Sequence, residues 1–464
     1  MKIEQLYTGC LAQAAYYIES DGEAVIIDPL REIGPYIKKA KDSEVEIKYV
    51  FETHFHADFV SGHLDLSNVT GAKIVYGPDA NPSFPAHVGK DGEIFKIGRA
   101  QVKLLHTPGH TLESCCYLLM DENGRKKALF TGDTLFIGDV GRPDLAQNNL
   151  EGITQEDLAS LLYDSLRNTI MPLPDDIIIY PAHGAGSACG KNMSKETSDT
   201  LGQQKQTNYA LRAGMSREEF IREVTSGLKP PPAYFPMNVK MNSEGYESHE
   251  KVLSRGSKAL TTDEFELQLN ASGALLLDTR SPQDFSKGFI PGSINIGLDG
   301  GFAPWVGTLI PPVGITIMLV TEPGKEEETV TRLSRIGYDN VLGYLEGGFP
   351  AWSSANKAID QVKTIDAFEF ADIYNKHMNI IDVRKESEFE ATHIENATNI
   401  PLDNINEQFS VIDKTEQVYI HCAGGYRSMI FISILKSRGY HNLININGGF
   451  SAMRNTPLKL AVTI

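Results

Sequence analysis

Five short stretches in the first 183 residues carry side chains able to hold a metal ion. They are Thr53-His54-Phe55-His56-Ala57-Asp58, Thr107-Pro108-Gly109-His110-Thr111, Thr131-Gly132-Asp133, Gly141-Arg142-Pro143-Asp144 and Pro181-Ala182-His183. Imidazole and carboxylate are borderline and hard donors, suited to zinc or non-haem Fe(II). A lone histidine is usually an ordinary surface or core residue, but this set in this order is specific. His54 and His56 share one loop, His110 lies on a second and Asp133 on a third. Position 59 is Phe59, where a two-metal site on this pattern would want another histidine. Two imidazoles and one carboxylate, with the second site damaged, suit a single open-faced iron better than a zinc pair. The expected chemistry moves from hydrolysis toward oxygen.

A second centre lies near the other end. Val418-Tyr419-Ile420-His421 reads as a strand, and Cys422-Ala423-Gly424-Gly425-Tyr426-Arg427-Ser428 follows it into a helical pattern from Met429. Glycines let successive backbone N–H groups turn inward as an anion-binding nest at a helix start. A cysteine at the head of such a nest can carry an extra sulfur atom as a persulfide. Arg427 supplies charge for sulfite or thiosulfate.

These groups need scaffolds. Ala24-Val25-Ile26-Ile27, Tyr49-Val50-Phe51 and Lys103-Leu104-Leu105 read as strands, two of which run straight into histidine motifs. Loops just past strand ends are where binding groups commonly lie. A polar helical pattern from Gln203 to about Arg222 is broken at Lys229-Pro230-Pro231-Pro232, read as a stiff tail with a linker ending near Ser257. Beyond it the chain repeats at a period of about one hundred residues. Leu275-Leu276-Leu277-Asp278-Thr279-Arg280 answers to Ile380-Ile381-Asp382-Val383-Arg384, and Gly347-Gly348-Phe349 to Gly448-Gly449-Phe450. Alternating strand and helix patterns imply a small parallel α/β unit made twice. The first copy has no cysteine: its strand Ile317-Met318-Leu319-Val320 runs into Thr321-Glu322-Pro323-Gly324-Lys325-Glu326.

At 464 residues, roughly three domains are expected. The net charge of −17, with no Lys/Arg stripe, argues against a nucleic-acid partner. No apolar run has membrane-spanning length, and no signal design is visible at the start. Five irregularly spaced cysteines fit a reducing cytoplasm, not a disulfide framework.

Residues 1 to about 250 resemble the metallo-β-lactamase superfamily, an αββα sandwich, and within it the persulfide dioxygenases more than the glyoxalase II-type hydrolases. The resemblance implies one Fe(II) per chain held by His54, His110 and Asp133. His56, Asp58 and His183 then fall to a second shell or a vestigial second metal site. Arg142 falls by the substrate pocket, as an anion partner or as a salt bridge with Asp144. Cys189 is a pocket thiol or a small buried cysteine. Gly184-Ala185 stands where simpler relatives carry Asp-Tyr, so no tyrosine hydroxyl near the iron is carried over.

Residues from about 362 on resemble a rhodanese sulfurtransferase, with Asp382-Val383-Arg384 and His393-Ile394 as its early signature. Phosphatases use a similar loop with five residues between Cys and Arg; the four between Cys422 and Arg427 favour sulfur. The implied site is Cys422, Arg427, Gly424, Gly425 and Ser428. The expected fold class is multidomain α/β: a sandwich over 1–257, a cysteine-free rhodanese-homology domain over 258–361 and a rhodanese domain over 362–464. The expected activity converts a thiol persulfide and O2 to thiol and sulfite, with sulfane sulfur passed through Cys422 and thiosulfate as product or donor. A cytoplasmic dimer or tetramer is expected. A glyoxalase-like zinc thioester hydrolase fused to a rhodanese and a non-enzymatic sulfur-binding scaffold are the alternatives.

Overall fold

The computed structural model describes residues 1–145 and 152–463. They form two compact units, Met1–His249 with Ser334–Gly337, and Glu250–Leu333 with Tyr338–Ile464.

The first unit is built on two six-stranded sheets. One orders Lys2–Thr8, Gln13–Ser20, Glu23–Ile27, Glu46–Phe51, Lys73–Tyr76 and His87–Val88. The other orders Asp199–Thr200, Ile178–Pro181, Lys126–Gly132, Cys115–Met120, Ala100–His106 and Ile94–Ile97. Runs such as Val25-Ile26-Ile27 are apolar without alternation because both faces are covered. One face of each sheet contributes to a shared core, in which Tyr16, Val25 and Phe51 meet Val102, Tyr117 and Phe130. On the outside, helices Gly34–Asp42 and His63–Thr70 pack on the first sheet through Tyr36, Ala40 and Leu66. Helices Gln155–Asp164 and Arg217–Thr225 cover the second through Leu162 and Phe220. The layers are α, β, β, α.

The proline-rich stretch does more than break a helix. Pro236 occupies the first turn of a new helix, Phe235–Glu244, where a missing N–H leaves nothing unpaired. A further helix, His249–Gly256, follows where a linker was expected.

The second unit holds the repeat as two five-stranded sheets. Their orders are Ala259–Leu260, Val341–Leu345, Ile317–Val320, Leu275–Asp278, Ile294–Asn295, and Lys363–Ile365, Leu443–Ile446, Val418–His421, Asn379–Asp382, Thr398–Asn399. Every pairing in both is parallel, so each strand must be followed by a crossover, most of them helical. The leading helices start alike: Thr261 and Glu264 form a capping box, as do Asp366 and Glu369. No helix among the described residues is long and apolar enough to cross a membrane.

Candidate metal centre and sulfur loop

All the metal-type donors stand just past the C-terminal ends of strands. His54, His56 and Asp58 follow Glu46–Phe51, His110 follows Ala100–His106, Asp133 follows Lys126–Gly132, and His183 follows Ile178–Pro181. The two sheets reach each other closely here, since a Cβ on Gly132 would lie 2.5 Å from Thr53 Oγ1, and the segment after Gly132 folds back so tightly that a Cβ on Gly141 would lie 2.0 Å from the Asp133 carbonyl. Only glycine permits those approaches.

The donor atoms of His54, His110 and Asp133 lie within 4.8 Å of one another, and all three residues are buried. Asp133 Oδ2 is 3.5 Å from His110 Nε2 and 3.9 Å from His54 Nε2. Neither oxygen of the buried Asp133 carboxylate has a hydrogen-bond partner among the described residues. A buried carboxylate without partners is strongly disfavoured, and a cation among these donors removes the penalty. The residues therefore fit a metal ion.

The neighbours set which ring nitrogen faces that ion. The Thr53 hydroxyl donates to Asp28 Oδ2 at 2.8 Å, so its oxygen, 3.0 Å from His54 Nδ1, accepts from that nitrogen. The His110 Nδ1–H donates to the Arg142 carbonyl at 2.8 Å. Both Nε2 atoms are left unprotonated and free to ligate. Asp28 holds a left-handed backbone (φ 49°) while also accepting from the Thr53 N–H at 2.8 Å, strain of the kind that fixed sites store. Burial and the three neighbouring imidazoles keep His54 well below the usual histidine range.

His56, Asp58 and His183 form a second buried donor group within 4.8 Å. His183 Nε2 lies 3.5 Å from both Asp58 Oδ2 and Asp133 Oδ1. His56 Nε2, however, faces Asp28 Oδ1 at 3.1 Å and Glu52 Oε2 at 3.3 Å. Burial opposes charge on His56, but these two carboxylates outweigh it and hold its pKa well above the ordinary value. Burial pushes Glu52 up to about 7 and raises Asp58. Phe59 is fully buried with its ring 4.3 Å from that of His56.

Arg142 does not extend a free guanidinium. Its Nε and Nη2 each donate to Asp144 at 2.6 Å, and its carbonyl is what reaches the centre, through His110. Cys189 is buried within 4.8 Å of Asp133 and His183 donor atoms; burial and the carboxylates of Asp58 and Asp133 push its thiol up, keeping it protonated.

At the other centre, strand Val418–His421 delivers Cys422 to a turn that ends at helix Tyr426–Ser437. Gly425 takes φ 111°, which turns its N–H onto Cys422 Sγ at 3.1 Å. Ser428 Oγ lies 3.7 Å from Sγ and donates to Asn445 Oδ1 at 2.8 Å. Gly424 is exposed, with nothing within 4 Å of where a Cβ would project. Arg427 is paired with Glu388 through two hydrogen bonds, at 2.6 and 2.9 Å, and that bond lowers the Glu388 pKa.

Several residues here were not singled out from sequence. Asp28 and Glu52 each follow a strand of the first sheet, the position all the donors share, and that was the available signal. Asn242 had none. Its amide donates to the carbonyls of His56 and Phe59, both at 2.8 Å, and its oxygen accepts from the Ser61 N–H at 2.9 Å, clamping the metal loop.

Residues 8–183 match the metallo-beta-lactamase superfamily model, and residues 261–355 and 367–456 match that of the rhodanese-like domain. A probable hydroxyacylglutathione hydrolase of Schizosaccharomyces pombe is 36% identical over 174 residues, 36% of this chain and 62% of that protein's length. The human mitochondrial persulfide dioxygenase ETHE1 is 30% identical over 222 residues, 47% of this chain and 78% of that protein. Among solved structures, a metallo-beta-lactamase from Staphylococcus aureus superposes with a TM-score of 0.65 at 32% identity, covering 74% of this chain and 98% of that one. The chain belongs to the metallo-beta-lactamase superfamily and carries two rhodanese-like domains after the sandwich.

Proposed function

We propose that the first unit is a persulfide dioxygenase with one ferrous ion per chain, and that Cys422 transfers sulfane sulfur. The observation that carries the reading is Phe59. A fully buried phenyl ring stands where a dinuclear site would want an imidazole, and a hydrocarbon cannot ligate. The neighbouring His56 is turned to Asp28 and Glu52. His54, His110 and Asp133 would hold the iron. When bound, it supplies the one-electron chemistry that dioxygen needs and an electropositive anchor for a persulfide anion.

The chain's own residues do the rest. Asp28 and Thr53 hold the His54 tautomer, and the Arg142 carbonyl holds that of His110. Asn242 fixes the loop between them. The outer sulfur of the persulfide is oxidised to sulfite, dioxygen is reduced, water supplies the third oxygen and the parent thiol leaves. In the second unit the Gly425 N–H steadies sulfur on Cys422, and the first repeat, with Thr321 in place of cysteine, carries none.

A second reading has one observation in its favour. His56, Asp58 and His183 also converge within 4.8 Å, as a dinuclear zinc thioester hydrolase requires. Anaerobic purification with metal analysis, followed by oxygen uptake against a panel of thiol persulfides, separates the two. One iron per chain and persulfide-dependent uptake are expected. Two zinc ions with thioester hydrolysis unchanged under anoxia would establish the second reading instead.

A further inference from the structure

A tyrosine of the sulfur loop is bound by the repeat that has no cysteine. Tyr426 follows Gly425, whose N–H reaches Cys422 Sγ at 3.1 Å. The Tyr426 hydroxyl donates to the Gly297 carbonyl of the first repeat at 2.7 Å. Burial pushes the pKa of that hydroxyl up, so it stays a donor. The ring lies in a slot made by glycines. A Cβ on Gly300 would lie 3.0 Å from the ring carbon Cζ, and one on Gly297 would lie 3.3 Å from Cε2. Gly300 also holds φ 133°, a backbone that favours glycine. Two turns along the same helix, Ser433 Oγ accepts from the Asn295 N–H at 2.9 Å.

The two halves of this junction have diverged in opposite copies. Asn295 answers to Asn399, so Pro401 and Asn404 stand in the second repeat where the first has Gly297 and Gly300. Thr321 answers to Cys422, so Lys325 stands in the first repeat where the second has Tyr426. The slot thus belongs to the copy without a cysteine and the ring to the copy with one. The sulfur loop needs such a hold. Gly424 is exposed with nothing within 4 Å of where a Cβ would project, and Gly425 beside it is equally free of side-chain restraint. Consecutive glycines leave a loop many conformations, and a fixed neighbour removes most of them. Tyr426 is where the chain enters the helix, so fixing it fixes the direction in which the Gly425 N–H points.

We propose that Tyr426 is a positioning residue for the sulfur loop, and that the cysteine-free repeat serves sulfur transfer by holding it. The proposal rests on Cys422 as the sulfur carrier. When cyanide takes the outer sulfur of the Cys422 persulfide, its lone pair forms a C–S bond and the S–S bond breaks. The electron pair of the broken bond stays on Cys422 Sγ, and thiocyanate leaves. An N–H already aimed at Sγ steadies that charge without reorganising at the moment of transfer. A loop free to turn the Gly425 N–H away loses the benefit.

The test is thiosulfate-to-cyanide transfer by the full chain. Tyr426→Phe keeps the ring and loses the hydroxyl bond, whereas Gly300→Ala presses on the ring from the other repeat. Each should lower kcat/KM for cyanide by about five- to tenfold, the worth of one hydrogen bond, and kcat/KM for thiosulfate by less than about twofold. A smaller folded fraction would lower both constants alike. The two substitutions together should do no worse than the poorer single one, because both cut the same link. Asn406→Ala removes a different contact between the repeats, from its amide to the Leu309 carbonyl at 3.2 Å, and should leave both constants near those of the wild type. Hydrogen exchange over residues 422–428 should quicken in Tyr426→Phe and Gly300→Ala but not in Asn406→Ala. Wild-type constants in both slot variants, equal losses toward cyanide and thiosulfate, or the same loss in Asn406→Ala overturns the proposal. If the wild type transfers no sulfur, Cys422 is not a carrier, and the exchange contrast alone decides whether the first repeat holds the loop.

Discussion

The two repeats of the second unit share their scaffold nearly bond for bond and differ where chemistry would occur. Arg280 Nη2 donates to Asp278 at 2.6 Å and to the Gly288 carbonyl at 2.9 Å; Arg384 Nη2 does the same to Asp382 at 2.6 Å and to the Thr392 carbonyl at 2.8 Å. Each guanidinium lies over a phenyl ring, Phe349 at 4.3 Å and Phe450 at 3.9 Å. Asn295 and Asn399 each donate to the carbonyls of the Asp and the Arg. Even the left-handed turn glycines correspond, Gly348 pressed toward the Thr321 carbonyl and Gly449 toward that of Cys422. At the loop the likeness stops. Thr321, Glu322 and Glu326 stand where the second repeat has Cys422, Ala423 and Arg427. A buried polar frame recurs in both copies, and the copies differ in a few loop side chains.

The largest effect that can break this comparison is at the loop. Cys422→Ser should lower thiosulfate-to-cyanide transfer by roughly a thousandfold or more, and adding Thr321→Cys should not restore it, because the acids at 322 and 326 repel the donor anion. Restoration would mean the frame alone confers reactivity. Next come the forks. Asp278→Asn and Asp382→Asn each leave a buried guanidinium without its carboxylate, and each should destabilise its repeat by about 3–5 kcal/mol, read as matching shifts in denaturant midpoint; a large loss in one repeat only would show that the forks are not equivalent. A smaller effect is expected from Glu388→Gln, which frees Arg427 from its carboxylate. The KM for thiosulfate should fall roughly two- to fivefold, the scale of a part-exposed ion pair, and an unchanged value would mean Arg427 does not serve the anion.

The smallest effect concerns protons. His421 is buried where the first repeat has Val320, and burial holds its pKa below the ordinary value despite Asp382 nearby. Below about pH 6.5 the unfolded chain binds the proton that folded His421 refuses, so stability falls as pH falls. Midpoints measured at pH 7.5 and 5.5 should converge less steeply to instability in His421→Val than in the wild type. Equal slopes would remove His421 as the source.

The metal donors and the sulfur loop were legible because each follows an apolar β run and carries a local pattern of residue types. The repeat was legible because several anchors keep register. What escaped was pairing between distant residues. Glu388 bonds Arg427 across 39 positions, and Tyr426 bonds Gly297 across 129. A single polar residue has no periodicity to betray a partner so far away. The proline-rich stretch misled for a different reason: a proline that forbids one helix to continue is at home in the first turn of the next, where Pro236 stands.

Asn242 carries a consequence for biosynthesis. Its three hydrogen bonds reach back 186 and 183 positions to the His56 and Phe59 carbonyls and 181 to the Ser61 amide. A chain still on the ribosome can therefore have made His54, His56, Asp58, His110, Asp133 and His183 and yet lack the clasp that sets the loop of the first three. That loop is clasped only once the helix bearing Asn242 has emerged, a built-in delay between translating these side chains and fixing the loop that carries three of them.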